Sequence, residues 1–163
     1  TLPEQERERF CQVLHHSRTS LYRLAFSITR NSSDAQEAVA EAVCRAYERY
    51  PQLREKEKLP RWLLKITANE ARRLCQRRGR TVSLDDLPTE PAIPGRETGD
   101  DTLWQAVQTL PRDQREAVVL FYYEDLPTEE IARIVATSPG AVRVRLSRAR
   151  EKLRSILKEG DYG

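Results

Sequence analysis

Apolar side chains return at roughly helical spacing along most of the chain. Over residues 4–29, Phe10, Val13, Leu14, Leu21, Leu24, Ala25 and Ile28 keep that spacing and predict a long helical stretch. Asn31-Ser32-Ser33 interrupts it. Ser33, with Gln36 three residues on, has the form of a capping box, and Asp34 falls in a first turn, where the helix dipole favours an anion. The helix begun there is expected to bury Ala35, Val39, Ala42, Val43, Ala46 and Tyr50. Its other face shows Gln36, Glu37, Ala40, Glu41, Arg45 and Glu48 to solvent or to a partner, and Pro51 ends it. Residues 52–60 are charged and read as a loop or frayed turn. Pro60 suits the first turn of the next helix, which carries Trp62, Leu63, Ile66 and Leu74 and runs to Gly79 as a C′ stop.

Residues 81–100 differ. Pro88, Pro91, Pro94, Gly95 and Gly99 stand among acids with almost no large apolar groups, the composition of a flexible acidic linker. From 102 the helical pattern returns with Leu103, Trp104, Val107 and Leu110-Pro111. A third stretch holds Ala117, Val118, Leu120, Phe121 and Tyr122; it is β-prone by composition, but its Pro-Arg-Asp start favours a buried helix. No segment alternates convincingly. The expected fold is all-α, with two small helical domains at 1–80 and 102–158 joined by the linker 81–101.

The sharpest local pattern lies at 126–154. Thr128 is placed to cap a short helix with Glu129 and Glu130 in its first turn and Ile131, Ala132 and Val135 on its inner face. Ala136-Thr137-Ser138 connects it to a second helix, with Ser138 as N-cap and Pro139 at the first helical position. That second helix buries Val142, Leu146, Ala149 and Leu153; its other faces carry Arg143, Arg145, Arg148, Arg150, Lys152 and Arg154. A small helix, a short turn and a basic helix form a helix-turn-helix, whose second helix enters the DNA major groove by its N-terminus. Ser138, Pro139, Gly140 and Arg143 are the candidates for base readout or the adjacent backbone. Arg145 and Arg148 would read bases or clamp phosphates, because a guanidinium fork fits either. The blander reading is a helical hairpin with a charged outer face.

Charge distribution strengthens the nucleic-acid reading. The 163-residue chain has a net charge of only +3, yet residues 61–80 and 139–158 each hold seven basic side chains against one acidic. Two such segments flank the acidic middle, as two polyanion-binding sites would. In the first, Trp62, Asn69, Arg72, Arg73, Arg77, Arg78 and Arg80 combine cations with an aromatic that would support an unstacked base. For Trp62 a place in the core is the commoner alternative. The preceding 52–60 loop, with Lys56 and Lys58, would fold around an extruded base.

Other chemistries find little support. Cys11, Cys44 and Cys75 are odd in number and lack CxxC spacing, and His15 and His16 lie near none of them, so neither a zinc site nor a disulfide framework is indicated. Reduced, half-buried thiols in a cytoplasmic protein are the expectation. No apolar run approaches the roughly 18 residues needed to span a bilayer, so no direct membrane insertion is expected. There is no Gly-rich phosphate loop and no Ser/Cys–His pairing, so neither an enzyme nor a cofactor is expected. Solvation explains the paired acids Asp85/Asp86 and Asp100/Asp101 better than metal binding does.

Five stretches, in order, resemble the extracytoplasmic-function sigma factors, the smallest members of the main bacterial sigma family. Leu21-Tyr22-Arg23-Leu24-Ala25 is similar to the family's first helix. Residues 34–47, Asp-Ala-Gln-Glu-Ala-Val-Ala-Glu-Ala-Val-Cys-Arg-Ala-Tyr, resemble the helix that binds the polymerase β′ clamp helices, although Ala40 stands where the family often has glutamine. Residues 62–69, Trp-Leu-Leu-Lys-Ile-Thr-Ala-Asn, resemble the stretch that helps melt the −10 element; four residues on, Arg73 stands where aspartate is frequent. Residues 110–118 resemble the start of the −35-binding domain, and residues 138–150 its recognition helix, with Val144 in place of a frequent small polar residue.

The resemblance implies a non-enzymatic subunit that brings core RNA polymerase to promoter DNA. It implies polymerase contacts at Asp34, Glu37, Glu41 and Arg45, −10 contacts at Lys56, Lys58, Trp62, Asn69, Arg72 and Arg77, and −35 contacts at Ser138, Pro139, Gly140, Arg143, Arg145 and Arg148. It also implies the β′ clamp helices and the β flap as polymerase partners, a linker passing near the active-site channel, and a possible anti-sigma factor. Two other classes remain open. A helix-turn-helix regulator acting without polymerase would bind duplex DNA tightly by itself. A helical interaction protein would show no DNA sequence preference.

Overall fold

The computed structural model of the chain describes residues 2–79 and 101–160; the linker expected at 81–100 lies outside them. The chain divides into two compact units, Thr1–Pro94 and Gly95–Gly163. All regular structure among the described residues is helical. None of these helices is long and apolar enough to cross a membrane.

In the N-terminal unit, α1 (Glu4–Thr29), α2 (Ser32–Arg49) and α3 (Leu59–Arg78) each pack against the other two. The second half of α1 is enclosed almost all round: Leu21, Tyr22, Leu24, Ala25, Phe26, Ser27 and Ile28 are buried. A helix apolar on all sides belongs inside a bundle. Ser27 is tolerated there because its hydroxyl donates to the Arg23 carbonyl at 2.8 Å. α2 meets its neighbours through Ala35, Ala38, Ala42 and Ala46, small side chains that admit close approach. Val39 and Val43, expected to be buried, are only half-buried, because this alanine seam sets the inward face.

The start of α2 differs from the sequence reading. Arg30 takes a left-handed conformation (φ 55°) and closes α1 through its N–H to the Phe26 carbonyl. Asn31 is then extended, and its side-chain oxygen accepts from the Asp34 N–H at 2.9 Å. Asn31 is therefore the cap, and Ser33 already lies inside the helix. At the far end Gly79 does follow α3, but with right-handed dihedrals (φ −61°, ψ −31°) rather than as a left-handed stop.

The charged 52–60 stretch is more ordered than a frayed loop. Single 3₁₀ turns form at Tyr50–Gln52 and Lys56–Lys58. Tyr50 is fully buried and meets Phe10 edge-on, 5.4 Å between ring centres; Phe10 also meets Tyr47 at 5.3 Å. Burial pushes the Tyr50 phenol above its usual pKa, and the neighbouring Glu6 adds to the rise. The Lys56 ammonium donates to the Tyr50 carbonyl at 2.6 Å and lies 4.2 Å from the centre of its ring. These contacts tie the turn before α3 to the bundle.

In the C-terminal unit, α4 (Asp101–Gln108), α5 (Arg112–Val118) and α6 (Thr128–Val135) pack on α7 (Pro139–Gly160). Trp104, Val107, Leu110, Val118, Leu120, Ile131, Val142, Leu146 and Ala149 form the core. The third stretch is helical, as its Pro-Arg-Asp start predicts, but α5 widens into a π turn over Val119–Tyr123. The wider turn rotates the succeeding side chains out of register, so burial stops at Leu120: Phe121 is half-buried and Tyr122 is 49% exposed. Among the cysteines, Cys75 is half-buried as expected, but Cys11 and Cys44 are exposed, because they face outward from α1 and α2.

Candidate nucleic-acid interface

Pro127 precedes α6, and its carbonyl accepts from the N–H groups of Glu130 and Ile131. Thr128 is thus the first helical residue and not the cap; its hydroxyl points to the Glu129 carboxylate. Ile131, Ala132 and Val135 are buried as the pattern predicts, and Ile134 joins them. Ala136 ends α6 in the left-handed region (φ 57°), a conformation costing an alanine roughly 1 kcal/mol. The chain thereby turns within three residues. Ser138 then accepts from the Ala141 N–H at 3.1 Å, which makes it the N-cap of α7, with Pro139 first in the helix.

Along α7 the buried seam is Val142, Leu146, Ala149 and Leu153. Gly140, Arg143, Val144, Ser147 and Arg148 are exposed. Arg145 is half-buried and turned toward α5, where its guanidinium lies 3.7 Å from the Asp113 carboxylate. Of the three candidate arginines, Arg143 and Arg148 are therefore the exposed ones. The whole assembly is a helix-turn-helix with a basic outer stripe.

Residues 13–81 match sigma-70 region 2, and residues 100–153 match sigma-70 region 4. The RNA polymerase sigma factor SigV of Bacillus subtilis (strain 168) is 32% identical over 142 residues, 86% of this chain and 86% of that protein. The ECF RNA polymerase sigma factor SigE of Mycolicibacterium smegmatis is 30% identical over 148 residues, 84% of this chain and 57% of that longer protein. The chain belongs to the extracytoplasmic-function sigma factors. A solved relative, the sigma factor RpoE of Bartonella quintana in complex with the anti-sigma factor NepR, is 25% identical; its TM-score is 0.77 over 96% of this chain and 98% of that one. Proteins of this family direct transcription through core RNA polymerase, and so does this sigma factor.

In region 2 the sigma factor laces α2 to α3 with charge. Asp34 pairs with Arg78 at 2.9 Å, and Glu37 lies 3.7 Å from Arg78 and 4.0 Å from Arg77. At the centre sits Glu70, buried to 7% exposure. Its carboxylate lies 2.7 Å from the Arg45 guanidinium and accepts from Arg73 at 3.1 Å; Glu41 approaches Arg45 at 3.6 Å. Glu37, Glu41, Arg45, Glu70, Arg73 and Arg77 line a polar cleft of about 160 Å³ between the helices. The candidate polymerase residues thus share one edge, where Glu37 and Glu41 remain exposed while Asp34 and Arg45 are turned inward. Glu70 escaped the sequence reading because it stands as the one acid in a basic segment. Its spacing of three from Arg73 was the available signal.

Of the candidate −10 residues, Asn69 is exposed and accepts from Arg72 at 3.3 Å, Arg77 faces Glu37, and Lys58 pairs with Glu55 at 2.8 Å. Trp62 is half-buried, between the two alternatives. Lys56 is held by Tyr50, so it shapes the turn as well as charging it.

Glu70→Gln removes the counter-charge and leaves two guanidinium groups side by side. Breaking a buried pair costs about 3–5 kcal/mol. Here both arginines can turn to water, so about 1–2 kcal/mol is expected, a fall of roughly 10 °C in the melting temperature of the N-terminal unit. Thermal melts followed by circular dichroism measure it. A shift no larger than that of the surface variant Glu48→Gln would show that the cluster contributes nothing to the packing of α2 on α3.

A second surface was not legible in the sequence. Leu103, Val118, Tyr122, Tyr123, Leu153 and Leu157 line an apolar groove of about 310 Å³ in region 4. Tyr122 accepts from Arg150 at 3.0 Å at its rim.

Proposed function

We propose that this sigma factor docks on core polymerase by its N-terminal unit, holds the unpaired −10 element on α3, and reads the −35 element with α7. The domain limits are 1–80 for region 2, 81–101 for the linker and 102–158 for region 4. The observation that carries the reading is the Ser138-capped α7, whose exposed Arg143 and Arg148 flank the face turned away from its buried seam. The β′ clamp helices meet the α2 edge with Asp34, Glu37, Glu41 and Arg45. The −10 strand meets Lys56, Lys58, Trp62, Asn69, Arg72 and Arg77. The −35 duplex meets Ser138, Pro139, Gly140, Arg143, Arg145 and Arg148.

The apolar groove of region 4 suits an amphipathic helix, and the β flap is the polymerase element assigned to it. Two elements bound through one tether raise the effective concentration of each, so neither contact needs to be strong alone. An anti-sigma partner, such as the Bartonella protein has, belongs to the same reading. The test adds the purified protein to sigma-free core polymerase with a genomic promoter library. Start sites that appear only with the protein present support the reading. Absence of co-elution and of transcripts overturns it.

A further inference from the structure

Val144 is one of three large apolar side chains that stand exposed among the described residues, at 46%. The other two, Leu103 and Tyr122, line the apolar groove of region 4; Val144 does not. At about 100° per residue, Val144 lies nearly opposite the seam of Val142, Leu146, Ala149 and Leu153. It therefore marks the middle of the outward face of α7, one turn beyond Gly140 and one turn before Arg148.

Valine gains no helix propensity here, because β-branched side chains lose rotamer freedom in a helix. It buries little, and a lone apolar group on a basic stripe makes no ion pair. Gly140 has a parallel property. A Cβ there would meet nothing closer than 4.0 Å, and its backbone needs no positive φ, so the fold does not require the glycine. Glycine nonetheless has a lower helix propensity than alanine. A clearing at 140 and a methyl-bearing side chain at 144, flanked by Arg143, Ser147 and Arg148, make a surface that lets a duplex approach closely and offers it one apolar contact.

The major groove presents one apolar group, the 5-methyl of thymine. We infer that Val144 reads a thymine methyl in the −35 element, making it a specificity-determining residue beside the arginines. The inference rests on the −35 reading of α7 and names the base-pair type, A·T, that this position selects. Arginine at 143 or 148 would select guanine or hold phosphate; valine has no polar atom with which to do either.

The test uses the full chain with core polymerase on a promoter identified from the library. Each thymine of the −35 element, on either strand, is replaced in turn by deoxyuridine, which keeps the pairing and removes only the methyl. One position is expected to lower transcription about threefold to fivefold, as loss of one buried methyl implies. With Val144→Ala, the same replacement is expected to have no effect, while the other positions behave as before. If no thymine shows the loss, if the loss persists in Val144→Ala, or if the element lacks A·T pairs, the inference is overturned. If scrambling the whole −35 segment leaves transcription unchanged, the −35 reading itself has failed.

Discussion

Trp104→Ala is expected to unfold the C-terminal unit while the N-terminal unit keeps its helices. Trp104 is 2% exposed and meets Tyr123 edge-on, 5.5 Å between ring centres, where α4 closes over the core. Truncating a buried tryptophan costs about 3–5 kcal/mol. A domain of this size holds only a few kcal/mol in all, at roughly 0.05–0.15 kcal/mol per residue. The variant should therefore lose about the whole stability of region 4. Far-UV circular dichroism should show a partial loss of helix at 25 °C, followed by one remaining transition. Core polymerase should still capture the variant through region 2, while −35-dependent transcription disappears. A variant that melts in one step, with all helix lost together, would show that the two units fold as one.

The fold was legible where periodicity and local signals agreed. The seam Val142-Leu146-Ala149-Leu153, with Ser138 and Pro139 before it, predicted α7 and its cap because each signal acts over one or two turns. Errors arose where two equivalent local solutions competed. Asn31 and Ser33 can each cap a helix; the left-handed Arg30 decided for Asn31, and no pattern in the sequence announces that conformation. Thr128 lost its capping place to Pro127 in a similar way, since the chain entered α6 one residue earlier. The π turn at Val119–Tyr123 was invisible because a hydrophobic run is equally apolar whichever helix it forms.

The candidate site divides along the same line. Spacing indicates which residues of one helix share a face, as in the buried seam of α7. Contacts between helices were missed, because spacing carries no information about what stands across the gap. Glu70 against Arg45, Asp34 against Arg78, and Arg145 against Asp113 all belong to that class. They matter for function, because an arginine already engaged by a carboxylate must leave it to grip DNA or polymerase. Net charge along a segment thus overstates the cations on offer. On α7, Arg143 and Arg148 are more readily available than Arg145.

Arg143→Ala is expected to lower initiation from −35-dependent promoters by roughly tenfold to a hundredfold, in line with about 1–3 kcal/mol for a bidentate base contact. Binding of the protein to core polymerase should not change, since Arg143 lies in the C-terminal unit and on the outward side of α7. Equal loss of both would overturn the division of labour between the two units. Arg143→Lys separates two forms of the contact. Lysine keeps the charge but loses the planar fork. If Arg143 grips phosphate, lysine should restore most of the activity, and Arg143→Ala should reduce the salt dependence of promoter binding by about one ion. If Arg143 reads guanine, lysine should remain weak, the salt dependence should hardly move, and the variant should tolerate substitutions at one base pair that the wild type rejects. The position of Arg143 near the N-terminal end of α7, about one turn beyond the Gly140 clearing, favours the second outcome.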